Sequence, residues 1–276
     1  MTEISQARAL AYASSMQVPG WFSELDARII ASLDRAQADL GIVGDLLEIG
    51  VFLGRSAIML GLLANDGETL IANDVFMSSS GREEDRAENE RWYRDGSRAA
   101  FERYYRQHVA SPPRVLEGDS QACLPSVADR SCRIVHIDGA HSLDAARHDI
   151  SEALRVAAEG GVIIVDDILS PHTPGVSAAA WEAVISGRLV PLVMSQKLYC
   201  VPARSPLSVA DVRRYLSSDH RATVAAEHDV PGGTVLEVVV SDAPERARSR
   251  IAWAITPPGA RVLIDRARRR PRLNHR

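Results

Sequence analysis

Lysine is almost absent from this chain. Of its 32 basic residues only Lys197 is a lysine, and arginine supplies the rest. With abundant alanine, that usage looks like a GC-rich coding sequence and carries no sign of phosphate binding. Positive charge is not in excess. The formal net charge is -4, so no global field draws in nucleic acid or an anionic membrane. No apolar run approaches the ~20 residues that span a bilayer. Met1 to Met16 lacks the basic start and apolar block of a secretory signal. Cysteine is scarce too. Cys123, Cys132 and Cys200 have no metal-type spacing and cannot all pair, so each reads as a small buried hydrophobe. The expectation is a reduced cytoplasmic protein with neither a membrane nor a nucleic-acid partner.

What is present is ordinary for a globular protein, with 46% hydrophobic and 25% charged residues. At 276 residues the chain suits one large α/β domain with additions, or one domain and a small second one. It is organised around Asp45-Leu46-Leu47-Glu48-Ile49-Gly50-Val51-Phe52-Leu53-Gly54-Arg55-Ser56. Leu46, Leu47, Ile49 and Val51 suit a buried strand, and Ser56 to Ala64 is rich in helix formers. Gly50 and Gly54 allow close backbone approaches that a β-carbon would block. The segment predicts the first strand of an open parallel sheet turning into its first helix. Ligands of such sheets bind beyond the carboxyl ends of the strands.

Upstream, Ile4 to Met16 is weakly helical and Pro19-Gly20 breaks it. Ser23 caps a helix from Glu24 to about Leu40, with Leu25, Ile29, Ile30 and Leu33 at helical spacing. Trp21 reads as core packing. Downstream, Asn65 to Glu68 is turn chemistry. Thr69 to Asp74 reads as the second strand, and a carboxylate at its end can accept from both hydroxyls of a ribose. Ser78 to Arg106 holds a flexible Ser78-Gly81 start, a charged run from Arg82 to Arg98, and the aromatics Trp92, Tyr93, Phe101, Tyr104 and Tyr105. The charges suit a solvated helix face. The location, beside the crevice, also suits a lid that excludes water. Pro112-Pro113 ends it. Arg114 to Ser120 is then a short strand and a polar turn, where Asp119 or Ser120 can cap a helix ahead of Ala122.

Two further stretches carry the chemistry. Arg133-Ile134-Val135-His136-Ile137-Asp138-Gly139-Ala140-His141 is a β-rich run that ends in an acid. Gly160-Gly161-Val162-Ile163-Ile164-Val165-Asp166-Asp167 ends in two. Parallel strands end at one edge, so Asp138, Asp166 and Asp167 converge. Three carboxylates repel unless they protonate, pair with arginine, or bind a cation. An all-oxygen set favours a hard ion such as Mg²⁺, and a bound cation lowers the pKa of a coordinated hydroxyl. His141 lies one turn beyond Asp138. A neutral imidazole there can abstract a proton or orient a carboxylate, and both readings are open. His136 reads as structural, His148 and Asp149 as scaffold, and His172 as a second histidine at the mouth.

The motifs E-I-G-V-x-x-G-R-S, I-D-G-A-H and G-G-V-I-I-V-D-D, within about Val43 to Pro202, resemble metal-dependent class I O-methyltransferases. The macrocin-, mycinamicin- and novobiocin-type enzymes of bacterial natural products are of this kind, as are methyltransferase-like proteins of the cephalosporin hydroxylase type. Animal catechol O-methyltransferase is more distant, and has asparagine where this chain has Asp167. The resemblance implies a doubly wound Rossmann-like methyltransferase sheet with S-adenosylmethionine as cofactor. It implies cofactor contacts from Glu48, Gly50, Gly54 and Ser56, from Asp74 at the ribose, from Asp119 and Ser120 at the adenine, and from Asp138. It implies Mg²⁺ on Asp138, Asp166 and Asp167. The base is a histidine at His141 in some members and a carboxylate in others. The acceptor it implies is a hydroxyl on a small-molecule natural product, a sugar first and a phenol second. Two alternatives stand beside it: a metal-independent small-molecule methyltransferase using His141, and a non-catalytic methyltransferase-like subunit.

Toward the end, Trp181 to Ile185 is helical. Leu189 to Met194 and Lys197 to Val201 read as the last two strands, closing the sheet with a hairpin, and Lys197 reads as solvated. Pro202 to Pro206 is a linker. Val209 to Leu216 and Ala243 to Ala254 are helical, Thr234 to Val240 is strand-like, and the arginine-rich stretch from Arg266 reads as a solvated tail. The expected division is an N-terminal helical segment (1–40), a core (41–202) with a helical lid at about 78–108, and a small C-terminal extension (203–276). A homo-oligomer is consistent with it.

Overall fold

The computed structural model describes residues 3–15, 17–76, 93 and 95–241. The chain divides into two units, Met1–Val239 and Val240–Arg276. Among the described residues every helix and strand lies in the first unit except for the last residue of the last strand, Val240, which begins the second. The expectations for Ser78 to Trp92, for a helix from Ala243 to Ala254 and for the arginine-rich end lie outside the described residues.

Two helices come first, α1 (Glu3–Ser15) and α2 (Glu24–Asp39). An alternating series comes next: β1 (Asp45–Ile49), α3 (Arg55–Leu63), β2 (Leu70–Asp74), α4 (Arg98–His108), β3 (Arg114–Glu117), the short α5 (Ser120–Cys123), β4 (Cys132–Ile137), α6 (Leu143–Val156), β5 (Ala157–Val165) and α7 (Pro174–Ile185). The chain ends in β6 (Leu189–Met194), β7 (Leu198–Pro202), α8 (Val209–Leu216), β8 (Ala222–Val230) and β9 (Gly233–Val240). One sheet holds all nine strands in the order β3-β2-β1-β4-β5-β7-β6-β9-β8. Strands β1 to β5 run parallel. Strand β7 is antiparallel to β5 and to β6, and β9 is parallel to β6. Among the described residues no helix is long and apolar enough to cross a membrane.

The β6–β7 hairpin does not close the sheet, which corrects the sequence expectation. A hairpin leaves the outer edge of β6 with unpaired backbone groups, and β9 covers that edge. Residues after Pro202 therefore continue the same sheet up to β9.

Both faces of the sheet are covered, which is why its central strands read as unbroken apolar runs. Leu46, Ile134 and Ile164 face a core built with α1, α2, α3, α4 and α8. Leu47, Val135 and Ile163 face a second core built with α6 and α7. Ser23 caps α2 in a reciprocal box with Asp26. At the amino end of β4, the buried Arg133 guanidinium donates to Asp34 (2.8 Å), to Glu68 (2.9 Å) and to the Leu63 carbonyl (2.9 Å). That fork ties α2, α3 and the turn before β2 to one strand. Such a buried network fixes position more than it adds net stability.

The carboxyl ends of β1 and β4 meet at Gly50. Its φ is +84°, and a β-carbon there would run into the backbone carbonyl oxygen of Asp138. Gly67 has nearly the same φ, +87°, with nothing within 4 Å. Gly67→Ala is therefore expected to cost only about 1 kcal/mol of backbone strain, and Gly50→Ala roughly 3 kcal/mol or more, because backbone must move. Urea unfolding of the two variants checks this, and equal losses would show that Gly50 matters only for its φ.

Candidate functional site

A cavity of about 530 Å³ opens at the carboxyl ends of β1, β2, β3, β4 and β5. The turn after β1 forms one wall. The backbone N–H groups of Val51 and Phe52 both donate to one carboxylate oxygen of Asp74 at 2.7 Å, and the Phe76 N–H donates to the other at 2.7 Å. Asp74 thus fastens the β1–α3 turn while lining the cavity. Burial pushes its carboxyl upward, and the three N–H donors oppose that. After β3, Asp119 caps α5 by accepting from the Gln121 N–H at 2.8 Å. Ser120 donates to Asp149 at 2.6 Å. All three line the cavity, so Asp149, expected as scaffold, is part of the wall. Its position on α6 gave no local signal.

Gly50, Ser56, Asp74, Asp119, Ser120 and Asp138 line the cavity. Glu48 and Gly54 stand behind its wall. Gly54 starts α3 with φ +90° against the ring of Phe101. Glu48 is fully buried and pairs with its register neighbour on β4, His136, at 2.7 Å. Burial pushes the Glu48 carboxyl up to about 8. Burial, helped by the nearby Lys197 ammonium, holds His136 down to about 3. Both shifts favour the neutral forms, an acid and an imidazole sharing one buried hydrogen bond. Ser56 adds a hydrogen bond to the Glu48 carboxyl.

Beyond β4 and β5 lie Asp138, His141, Asp166 and Asp167, all at the cavity. The His141 Nε2 is 3.1 Å from Asp167, and Asp167 sits in the left-handed region at φ 58°. Asp166 accepts from the Asp167 N–H at 2.7 Å and forms an ion pair with Lys197. Lys197, expected to be solvated, is only 1% exposed. Burial raises the Asp138 carboxyl, with the Lys197 ammonium pulling the other way.

Trp21 also departs from expectation. It is 64% exposed, outside the core, and its ring lies 5.7 Å from Phe52 and 5.5 Å from Tyr93 at the cavity rim. The Arg55 guanidinium donates to the Gly20 carbonyl at 2.5 Å and anchors that segment to α3. Pro19-Gly20 just ahead of Trp21 was the signal available, since an aromatic between a breaker and a helix cap has no helical face to join. Gln196 and His172 complete the mouth.

The three acids do not make one ligand set among the described residues. Two groups share Asp138: His136, Asp138 and Asp166, and Asp138, His141 and Asp167, each with donor atoms within 4.8 Å of one another. The first already holds the Lys197 ammonium on Asp166 and does not fit a further cation. The second faces the cavity, and its two carboxylates suit a hard divalent ion that takes remaining oxygens from water or substrate.

Residues 47–168 match a family model described as a methyltransferase domain. None of the curated proteins compared matches the chain. Among solved structures the chain is similar to the O-methyltransferase NovP, at 20% identity with a TM-score of 0.52, over 65% of this chain and 81% of that one. It is also similar to CalS11, a TDP-rhamnose 3'-O-methyltransferase of calicheamicin biosynthesis, at 15% identity and a TM-score of 0.45, over 71% and 92%. A third is the S-adenosylhomocysteine-bound methyltransferase PaMTH1 of Podospora anserina, at 13% and 0.47, over 74% and 89%. The likeness to NovP is one of fold.

Glu48 makes stability depend on pH with a defined sign, while His136, held low, contributes in the opposite direction below about 6.5 and cancels in a comparison of Glu48 variants. Glu48 keeps its proton when folded and loses it above about 4.5 when unfolded, so its contribution is full below about 4.5 and declines as pH rises toward about 8. Glu48→Gln keeps a neutral donor without that decline. Its stability relative to wild type is expected to rise by about 1 kcal/mol or more between about pH 5 and pH 8, whereas Glu48→Ala costs roughly 2–4 kcal/mol throughout. Denaturant midpoints across that range check it, and a constant difference between Glu48→Gln and wild type would refute the protonated acid.

Proposed function

We propose that this chain, which carries a methyltransferase domain in residues 47–168, is an S-adenosylmethionine-dependent O-methyltransferase. Its acceptor is a hydroxyl of a small-molecule natural product, a sugar hydroxyl first and a phenol second. The observation that carries the reading is the single cavity at the strand ends, which joins Asp74 and Asp119 on one side to His141 and its acids on the other. The shared fold with NovP, itself an O-methyltransferase, supports it. The sugar acceptor rests on the resemblance of the E-I-G-V-x-x-G-R-S, I-D-G-A-H and G-G-V-I-I-V-D-D motifs.

When bound, the cofactor supplies an electrophilic sulfonium methyl, and transfer needs an acceptor oxygen held in line with it. Gly50 lets the turn after β1 pack against the Asp138 backbone at the edge of the cavity. Asp74 lines the cavity where ribose hydroxyls would lie, and they would have to share its oxygens with the N–H groups it already accepts. Asp119 and Ser120 lie at the adenine end. Trp21, Phe52 and Tyr93 give the acceptor an apolar wall and narrow its access to water. His141 removes the acceptor proton at its imidazole. Asp167, against Nε2, orients the ring and stabilises the cation that forms.

A second reading is favoured by the gathering of Asp138, His141 and Asp167. There Asp138 and Asp167 would hold Mg²⁺, and Asp166 would take no part. Such an ion lowers the pKa of an acceptor hydroxyl when bound.

Calorimetry with S-adenosylhomocysteine and a radiolabelled methyl-transfer assay over nucleotide sugars and phenols test the proposal. His141→Ala is expected to leave S-adenosylhomocysteine affinity within about threefold and to lower kcat by roughly 10²–10⁴-fold. An unchanged kcat in His141→Ala would remove the imidazole as base and favour the second reading. Absence of S-adenosylhomocysteine binding would leave only the non-catalytic alternative.

A further inference from the structure

Lys197 stands immediately before β7, and the antiparallel register pairs Leu198 with Val165, the last residue of β5. That register sets the lysine against Asp166, the next residue along. The side chain is 1% exposed, forms an ion pair with Asp166, and has its ammonium 5.8 Å from the centre of the Phe22 ring. Glu48, His136 and Asp138 all lie within its electrostatic reach. Every other Lys/Arg position in the chain is arginine. The residue retained here is the one whose charge is a compact point on a flexible stem. A guanidinium is a planar fork that needs more donors satisfied. A small cation among carboxylates at the end of β5 holds the place that a divalent ion would otherwise take on Asp166.

We infer that Lys197 is the built-in cation of this site. Its ammonium occupies Asp166, holds that carboxylate in place, and keeps it from serving as a ligand to a divalent ion. The inference rests on the methyl-transfer reading above. Lys197 is a positioning residue: it acts through Asp166 and Asp138 and does not line the cavity. A second cation at Asp166 would meet a like charge at contact distance, so Asp166 cannot serve both.

The test is a Mn²⁺ titration followed by electron paramagnetic resonance on protein saturated with S-adenosylhomocysteine. The proteins compared are wild type, Lys197→Met, and Lys197→Met with Asp166→Asn. Thermal melting and S-adenosylhomocysteine affinity are measured on each. Lys197→Met is expected to bind Mn²⁺ at least about tenfold more tightly than wild type, since Asp166 is released. The double variant is expected to lose that gain while still binding S-adenosylhomocysteine. Should Lys197→Met fail to fold, wild type and the double variant decide, and equal Mn²⁺ affinities are expected. Tighter Mn²⁺ binding by wild type than by the double variant, or no gain in a folded Lys197→Met, overturns the assignment. Failure of wild type to bind S-adenosylhomocysteine overturns instead the methyl-transfer reading, and the inference with it.

Discussion

A carboxylate at the end of a parallel strand, drawn partly out of water, is answered largely within the protein. Five of the acids at or near the carboxyl edge of this sheet are answered in different ways. Glu48 is pushed toward its protonated form and shares a hydrogen bond with His136. Asp74 takes three backbone N–H groups. Asp166 takes the Lys197 ammonium, and Asp167 takes His141. Asp138 belongs to both clusters at once. The geometry of the cavity is set by these pairings. The β1–α3 turn is held by Asp74, and the imidazole facing the cavity is held by Asp167.

The same constraint couples parts of the chain that are far apart in sequence. Lys197 reaches Asp166 only because the β6–β7 hairpin adds to β5 in antiparallel register. That hairpin is held in turn by the start of α2. The Tyr199 hydroxyl donates to Asp26 at 2.8 Å and the Ser195 hydroxyl at 3.3 Å. Asp26 also closes the capping box of α2. Phe22, one residue before the cap, faces both His136 and Lys197. The segment from Pro19 to Phe22 thus supports the charge cluster from below while its exposed Trp21 forms the rim above.

Much of this was legible in the sequence. Apolar runs ending in an acid, such as Leu70 to Asp74 or Val162 to Asp167, state both the strand and the edge at which its acid lies. The Glu24 helix was legible from Ser23, and α3 from Gly54-Arg55-Ser56. Lys197 was not legible, because a polar residue at the start of a strand is solvated or buried according to which strand it joins. The pairing of Leu198 with Val165 is a long-range fact. The Glu48–His136 pair depends likewise on the β1–β4 register. Thr234 to Val240 was readable as strand, but its place beside β6 was not, since nothing local fixes a sheet neighbour.

A crystal structure of the protein with S-adenosylhomocysteine, grown or soaked in Mn²⁺ and measured at the manganese absorption edge, bears on the cavity and the acid cluster at once. The expected result is nucleoside density in the cavity between Asp74 and Asp119, the Lys197 ammonium on Asp166, and no anomalous peak at bonding distance from Asp166. A manganese peak bridging Asp138, Asp166 and Asp167, with Lys197 displaced, would contradict it.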